Sequence, residues 1–165
     1  MSELNREQLS QIIIEGFKSI KSCSLKLNKI NILIGSNGSG KSNFISAFTL
    51  LQNILDENLQ VYVAQSGLNS LLFNGRKDTD EIKFEVFFGD NSYGFNLIPT
   101  DDNRLIFKFE YFGYQPYNYD DYIDKGHTES SWKKGTRNRI GNFVQPILEK
   151  QNWRVYHFHD TSRNA

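Results

Sequence analysis

The stretch Gly35-Ser36-Asn37-Gly38-Ser39-Gly40-Lys41-Ser42 constrains this chain more than any other, because it is a complete phosphate-binding loop of the GxxxxGK[ST] pattern. The apolar run 30–34 precedes it, and a helical pattern begins near Lys41. The sequence therefore predicts the strand, loop and helix order that the pattern requires. Glycines let the backbone turn tightly, and its N–H groups, with the helix N-terminus behind them, attract phosphate oxygens.

This loop predicts binding of ATP or ADP with Mg²⁺. Lys41 is expected to reach the β- and γ-phosphates and is the candidate catalytic residue, while the Ser42 hydroxyl is the candidate Mg²⁺ ligand. The backbone around the phosphates is expected to come from Asn37, Gly38, Ser39 and Gly40. The alternative is a glycine-rich turn that only joins two elements.

Length and charge limit the remaining possibilities. The 165 residues form one domain or a large part of one, and 19 Lys and Arg balance 19 Asp and Glu. The single cysteine, Cys23, excludes a disulfide framework and predicts a reducing, cytoplasmic location. No run approaches the length of a membrane span, so we expect no membrane partner.

The segment before the loop is predicted to form two strands. The first opens at Ile12 and continues through the alternating Cys23, Leu25 and Leu27. Asn28-Lys29 is predicted to turn the chain into a second strand, 30–34, antiparallel to the first. An antiparallel pair of strands before the loop indicates a mixed sheet. It disfavours a small phosphotransferase, in which the loop follows the first strand directly.

Helices and further strands are predicted after the loop. Apolar residues at helical spacing, from Phe44 to Leu55, predict a helix, whereas 59–75 is ambiguous and contains at most a short helix near 68–73. Alternation over 82–112 predicts a three-stranded antiparallel meander. Residues 140–148 predict a helix, kinked by Pro146 or starting there, and 153–158 predict a buried strand.

The polar segment 113–139 is predicted to be a surface insertion. Its basic part, 125–139, contains Trp132 and offers a hypothetical DNA contact, with a solvated loop as the alternative. His157 and His159 share one face of the predicted strand 153–158, but no Cys or third His lies close by to complete a zinc site.

Two sequence elements resemble the ABC-type, AAA-family ATPases of the RecF, SMC and OLD group. They are the Gly16-Phe17-Lys18-Ser19 element and the extended loop Gly-x-Asn-Gly-x-Gly-Lys-Ser-Asn, which ends at Asn43. The resemblance implies an α/β P-loop NTPase fold, in which residues 1–165 are the N-terminal lobe of an ABC-ATPase head with a mixed sheet and an antiparallel β-subdomain.

The resemblance also implies roles for single residues. It places Asn43 near the α-phosphate and Lys18 and Ser19 near the adenine and ribose. It places Asp160 in the position of the Q-loop, as a possible Mg²⁺ contact, although an Asx turn is an equal alternative there. Complete heads of this group are expected to form ATP-bridged homodimers that act on DNA or a partner nuclease, in DNA repair, recombination or anti-phage defence.

Two motifs of the group are missing from the sequence. There is no Walker B strand that ends in Asp-Glu and no Ser-Gly-Gly signature loop. We therefore expect residues 1–165 to be a partial ATPase domain that binds nucleotide but hydrolyses almost nothing alone. The alternative is a nucleotide-gated module in which ATP stabilises a dimer without catalysis.

Overall fold

A computed structural model of the chain describes residues 8–134 and 139–150, apart from the side chain of Lys150. Its centre is a six-stranded sheet in the order β2-β1-β3-β4-β5-β6, in which all neighbours are antiparallel. The strands are β1 (Gln11–Phe17), β2 (Ile20–Lys26), β3 (Ile82–Phe88), β4 (Asn91–Pro99), β5 (Leu105–Tyr114) and β6 (Tyr119–Asp124).

The predicted meander is confirmed as β3, β4 and β5. Ile82 and Phe84 are buried while Lys83 between them is exposed, because successive side chains point to opposite faces of a strand. The β3–β4 turn passes through Gly89 with a positive φ of 62°. One face of the sheet therefore becomes the floor of the hydrophobic core.

Helices complete the core. They are α1 (Lys41–Leu55), α2 (Leu59–Ser66), α3 (Leu68–Leu71) and α4 (Arg139–Lys150). The helix predicted after the loop is confirmed as α1, and the ambiguous segment 59–75 forms α2 and α3. Pro146 lies inside α4 rather than at its start.

The predicted pairing before the loop is wrong. The hairpin turn lies at Lys18-Ser19, so that β1 pairs with β2, and 30–34 is not a strand. The side chains of Ile32 and Ile34 are 79% and 90% exposed. The run has the composition of a strand buried on both faces, but no strand among the described residues lies beside it to accept its backbone hydrogen bonds.

The prediction of a surface insertion over 113–139 is wrong in two places. Residues Tyr119–Asp124 form β6, which extends the sheet beyond β5. Trp132 is only 3% exposed and belongs to the core, so its ring is not available to stack on a base. Its aromatic surface and indole N–H both find partners in distant parts of the chain.

Several predictions fall outside the described residues. These are the strand 153–158, the histidines 157 and 159, and the role of Asp160. Within 8–134 and 139–150, no helix combines the length and apolar character that crossing a membrane requires.

Candidate nucleotide-binding site

The loop and the start of α1 form an open, exposed turn in front of the helix N-terminus. Gly38 and Gly40 have positive φ values of 83° and 91°, which favour glycine at both positions. Gly40 is the N-cap of α1, and no side chain caps the helix. The first-turn N–H groups therefore lack a side-chain partner at the positive end of a 15-residue helix.

The Lys41 ammonium group lies over the loop. Its Nζ donates to the carbonyl oxygens of Gly35 at 2.6 Å and Ser36 at 2.7 Å, and to Ser39 Oγ at 3.1 Å. A Cβ on Gly35 would lie 2.7 Å from Ser39 Oγ, so a larger residue there would displace the Ser39 hydroxyl from its contact with Lys41. The cation is thus held at the centre of the loop, where phosphate oxygens bind in P-loop geometry.

The Lys18-Ser19 turn contacts the start of α1. Asn43 Nδ2 donates to Ser19 Oγ at 2.6 Å, and Lys18 adopts a positive φ of 50°. The Lys18 N–H donates to the Leu71 carbonyl at 2.9 Å, which fixes the turn against α3. Burial lowers the pKa of the Lys18 amine. Lys18, Ser19 and Asn43, which the sequence proposed for the nucleotide, therefore lie in one region beside the loop.

Ser42 is suited to a Mg²⁺ ion that also binds phosphate oxygens. Ser42 is exposed, and its hydroxyl makes no hydrogen bond within the described residues. No group of three His, Cys, Asp or Glu side chains in the described part of the chain is arranged to hold a metal ion. A hydroxyl ligand supplemented by phosphate and water matches the coordination that Mg²⁺ prefers.

The far end of α1 is fixed by the segment 127–132, which the sequence did not identify. Trp132 Nε1 donates to the Leu55 carbonyl at 2.9 Å, which satisfies an orphan carbonyl at the end of the helix. The Glu129 carboxylate accepts from the N–H groups of Leu59 at 2.7 Å and Gln60 at 2.9 Å, where it caps α2. These contacts join α1, the helix that follows the phosphate loop, to the segment 127–132, and this segment in turn joins α1 to the sheet.

A buried carboxylate anchors that segment to β5. Glu110 is fully buried and accepts hydrogen bonds from Tyr93 Oη at 2.6 Å and the Ser131 N–H at 2.8 Å. His127 Nε2 lies 2.8 Å from Glu110 Oε2, the oxygen that also accepts from the Ser131 N–H. The spacing of these residues in the sequence does not predict the cluster, because its members come from β4, β5 and a loop.

Comparison with known proteins identifies the family. Residues 8–158 match the AAA ATPase domain family. The chain belongs to this family. The match includes the loop, α1, the whole sheet and α4, so the family assignment rests on the elements that position the candidate site.

Two kinds of curated relative support the RecF and SMC resemblance. Structural maintenance of chromosomes protein 3 of Arabidopsis thaliana is 44% identical over 100 residues, which are 59% of this chain and 8% of the relative. The DNA replication and repair protein RecF of Aliivibrio salmonicida is 34% identical over 86 residues, 50% of this chain and 24% of the relative. The chain therefore spans at most a quarter of these relatives, and the predicted RecF/SMC-like identity is confirmed.

A solved structure gives a weaker match. It comes from work on ATP-driven dimerization and DNA-stimulated activation of SMC ATPases, and it aligns with 85% of this chain and 79% of its own chain. The sequence identity is 19% and the TM-score is 0.43.

Proposed function

We propose that residues 35–43 bind the phosphates of ATP or ADP, with Mg²⁺ held by Ser42. The observation that carries this proposal is the Lys41 ammonium, held by Gly35 and Ser36 above a loop that ends in an uncapped helix. A triphosphate brings oxygens that replace the carbonyl contacts of the ammonium and accept from the first-turn N–H groups. The loop thus supplies positive charge without rearranging the helix.

We assign the base and ribose side of the nucleotide to the β1–β2 turn. The Asn43–Ser19 hydrogen bond joins this turn to the first turn of α1. Lys18 and Ser19 are therefore close enough to the loop to contact a nucleotide whose phosphates occupy it. Ser42 would hold Mg²⁺, which would neutralise phosphate charge together with Lys41, while Lys18 and Ser19 would orient the base and ribose.

The experiment is a titration of purified residues 1–165 with a fluorescent ATP analogue and Mg²⁺. Lys41→Ala should weaken binding about thirtyfold, because a charge-assisted hydrogen bond contributes about 2 kcal/mol. Lys125→Ala is the matched control, since Lys125 is an exposed lysine in the turn after β6. Equal affinity of the wild type and Lys41→Ala, or no saturable signal, would contradict the proposal.

For the whole protein we propose an ATPase of RecF/SMC type in DNA repair or chromosome maintenance, located in the cytoplasm. The names of the relatives, a chromosome maintenance protein and a DNA replication and repair protein, support this role. ATP would join two heads, and their engagement would be coupled to DNA. A partner nuclease remains a prediction from the sequence resemblance alone.

A further inference from the structure

The face of the sheet that points away from the helices carries an arrangement that nucleotide binding does not use. The strand register aligns Glu85, Gly94, Tyr111 and Tyr122 in one row across β3, β4, β5 and β6. The core side chains alternate with these residues and point the other way. In this row Tyr122 is exposed, and Glu85 and Tyr111 are half-buried.

Two glycines give the face its shape. The Tyr111 ring lies across Gly94, where a Cβ would come within 2.8 Å of the ring. In the next row a Cβ on Gly113 would lie 3.2 Å from Asp120 Oδ1 and 3.5 Å from Glu85 Oε1. A larger residue at 113 would collide first with Ser92 Oγ, the hydroxyl that donates to Glu85, and would lie beside both carboxylates.

The two carboxylates are not neutralised by any described cation. Lysines on and beside this face already have partners, because Lys83 pairs with Glu15 at 3.5 Å and Lys108 with Glu81 at 3.0 Å. Glu85 instead accepts a hydrogen bond from Ser92 Oγ at 2.6 Å and lacks an ion pair within the described residues.

The surroundings of these carboxylates favour an added positive charge. Burial raises the pKa of Glu85, and the negative charge of Asp120 raises it further, while the hydrogen bond from Ser92 lowers it. Burial also raises the pKa of Asp120. Glu85 is half-buried and Asp120 is exposed, and two neighbouring carboxylates, which repel each other, are stabilised when a cation binds between them.

Exposed aromatic rings border the carboxylates. Tyr122 is 57% exposed, and its ring centroid lies 6.0 Å from that of Tyr111 and 5.4 Å from that of Phe109. Such rings attract a cation placed over their face. We call Glu85, Tyr111, Asp120 and Tyr122 together the tyrosine–carboxylate face.

We propose that the tyrosine–carboxylate face binds an arginine side chain presented by an extended basic segment of a partner protein. A guanidinium group is planar, so it can stack on Tyr122 while it donates to both Glu85 and Asp120. Lysine offers a point charge without the stacking plane. Nucleic acid is disfavoured because its phosphates would meet the two carboxylates, Glu85 and Asp120.

The position of β6 suits an extended partner. β6 is the edge strand of the described sheet, and it pairs only with β5 among the described residues. A partner segment that runs along this edge can add backbone hydrogen bonds to the side-chain contacts. Charge complementarity selects the segment, and the open edge accommodates it.

The test uses fluorescence polarisation of a labelled peptide of alternating arginine and serine at about 150 mM salt, where long-range attraction is screened. The double variant Glu85→Gln/Asp120→Asn should weaken binding about tenfold or more, since it removes two charge-assisted contacts. The matched control Asp78→Asn/Asp80→Asn removes the same charge from the exposed loop before β3 and should change affinity less than about twofold. The same peptide with lysine for arginine should bind more weakly than the arginine peptide.

A second variant distinguishes a loss of peptide binding from a loss of folding. Tyr122→Ala removes a ring that is 57% exposed and lies against Phe109 and Tyr111, and it should weaken binding about threefold to fivefold, in line with the loss of one cation–π contact. Circular dichroism melting should show a cooperative transition for this variant, so that weaker binding is not a consequence of unfolding.

Three results would overturn the proposal. The first is equal loss of peptide binding in the double variant and its charge-matched control, which would indicate nonspecific attraction. The second is tight binding of a single-stranded oligonucleotide that Tyr122→Ala abolishes. The third is concentration-dependent self-association that the double variant removes, which would make a second copy of this chain the occupant.

Discussion

The Glu110 carboxylate joins three parts of the molecule that are distant in sequence. It accepts from Tyr93 on β4 and from the Ser131 N–H, and it pairs with His127. Glu110→Gln preserves the shape but places an NH₂ donor against groups that also donate. We expect the free energy of unfolding to fall by about 3 kcal/mol, because a buried, fully bonded charge loses its matched partners.

Urea unfolding at neutral pH measures this change. Glu57→Gln is the control, since Glu57 is an exposed residue whose ion pair with Lys133 lies at the surface. The control should change stability by less than about 0.5 kcal/mol. A Glu110→Gln variant as stable as the control would show that the buried cluster contributes little.

We predict that the folded protein loses stability in alkaline solution because Tyr93 is buried. Its side chain is fully buried, and burial, followed by the charge of Glu110, raises its pKa well above the ordinary value. Above about pH 10 the unfolded chain releases the tyrosine proton while the folded chain retains it, so stability falls as pH rises. Burial also raises the pKa of Tyr111, which adds to the slope.

Unfolding measured between pH 9 and pH 11 tests this sign. The wild type should lose up to about 1.4 kcal/mol per pH unit for each such tyrosine. Tyr93→Phe should have a shallower slope than the wild type, whereas Tyr117→Phe, at an exposed position, should keep the wild-type slope. Parallel slopes for wild type and Tyr93→Phe would refute the assignment.

Elements whose partners are close in sequence could be predicted, and those with distant partners could not. The meander 82–112 was recognised because alternation and turns are local signals. The strand β6 was not predicted because most of its residues are polar and several of them are exposed to solvent. The phosphate loop was recognised from spacing, but Trp132 appeared to be a surface residue because its partner, the Leu55 carbonyl, lies 77 positions away.

We predict that the segment 30–34 promotes self-association of the protein. Four of its five residues are large, exposed apolar residues, namely Ile30, Ile32, Leu33 and Ile34. Ile32→Lys should reduce self-association and binding of a hydrophobic dye, since exposed apolar runs promote association. Its free energy of unfolding should change by less than about 0.5 kcal/mol, because the side chain buries little in the fold.

Sedimentation velocity and dye fluorescence on purified 1–165 test this prediction. Val61→Lys is the matched control, because Val61 is a half-exposed apolar residue on α2, away from the segment. If both variants reduce association equally, the effect is general charge repulsion and the segment has no special role.

At the scale of the whole molecule, we expect residues 1–165 to bind nucleotide without hydrolysing it. The described residues provide the loop, the cation and the coupling of α1 to the sheet, while the sequence contains neither an Asp-Glu strand end nor a Ser-Gly-Gly loop. Purified 1–165 should therefore bind ATP with Mg²⁺, form no ATP-dependent dimer, and release phosphate no faster than Lys41→Ala, because the two motifs expected to position the attacking water and the opposing head are missing from the sequence.

Light scattering and a phosphate-release assay on the same samples distinguish the two functions considered for this chain. Turnover above that of Lys41→Ala would show that residues 1–165 carry their own catalytic groups. A dimer that forms only with ATP and is lost in Lys41→Ala, without turnover, would favour the nucleotide-gated module. Saturable binding with neither dimer nor turnover would favour a lobe that needs a separate catalytic partner, since capture of phosphates depends only on the loop and its lysine.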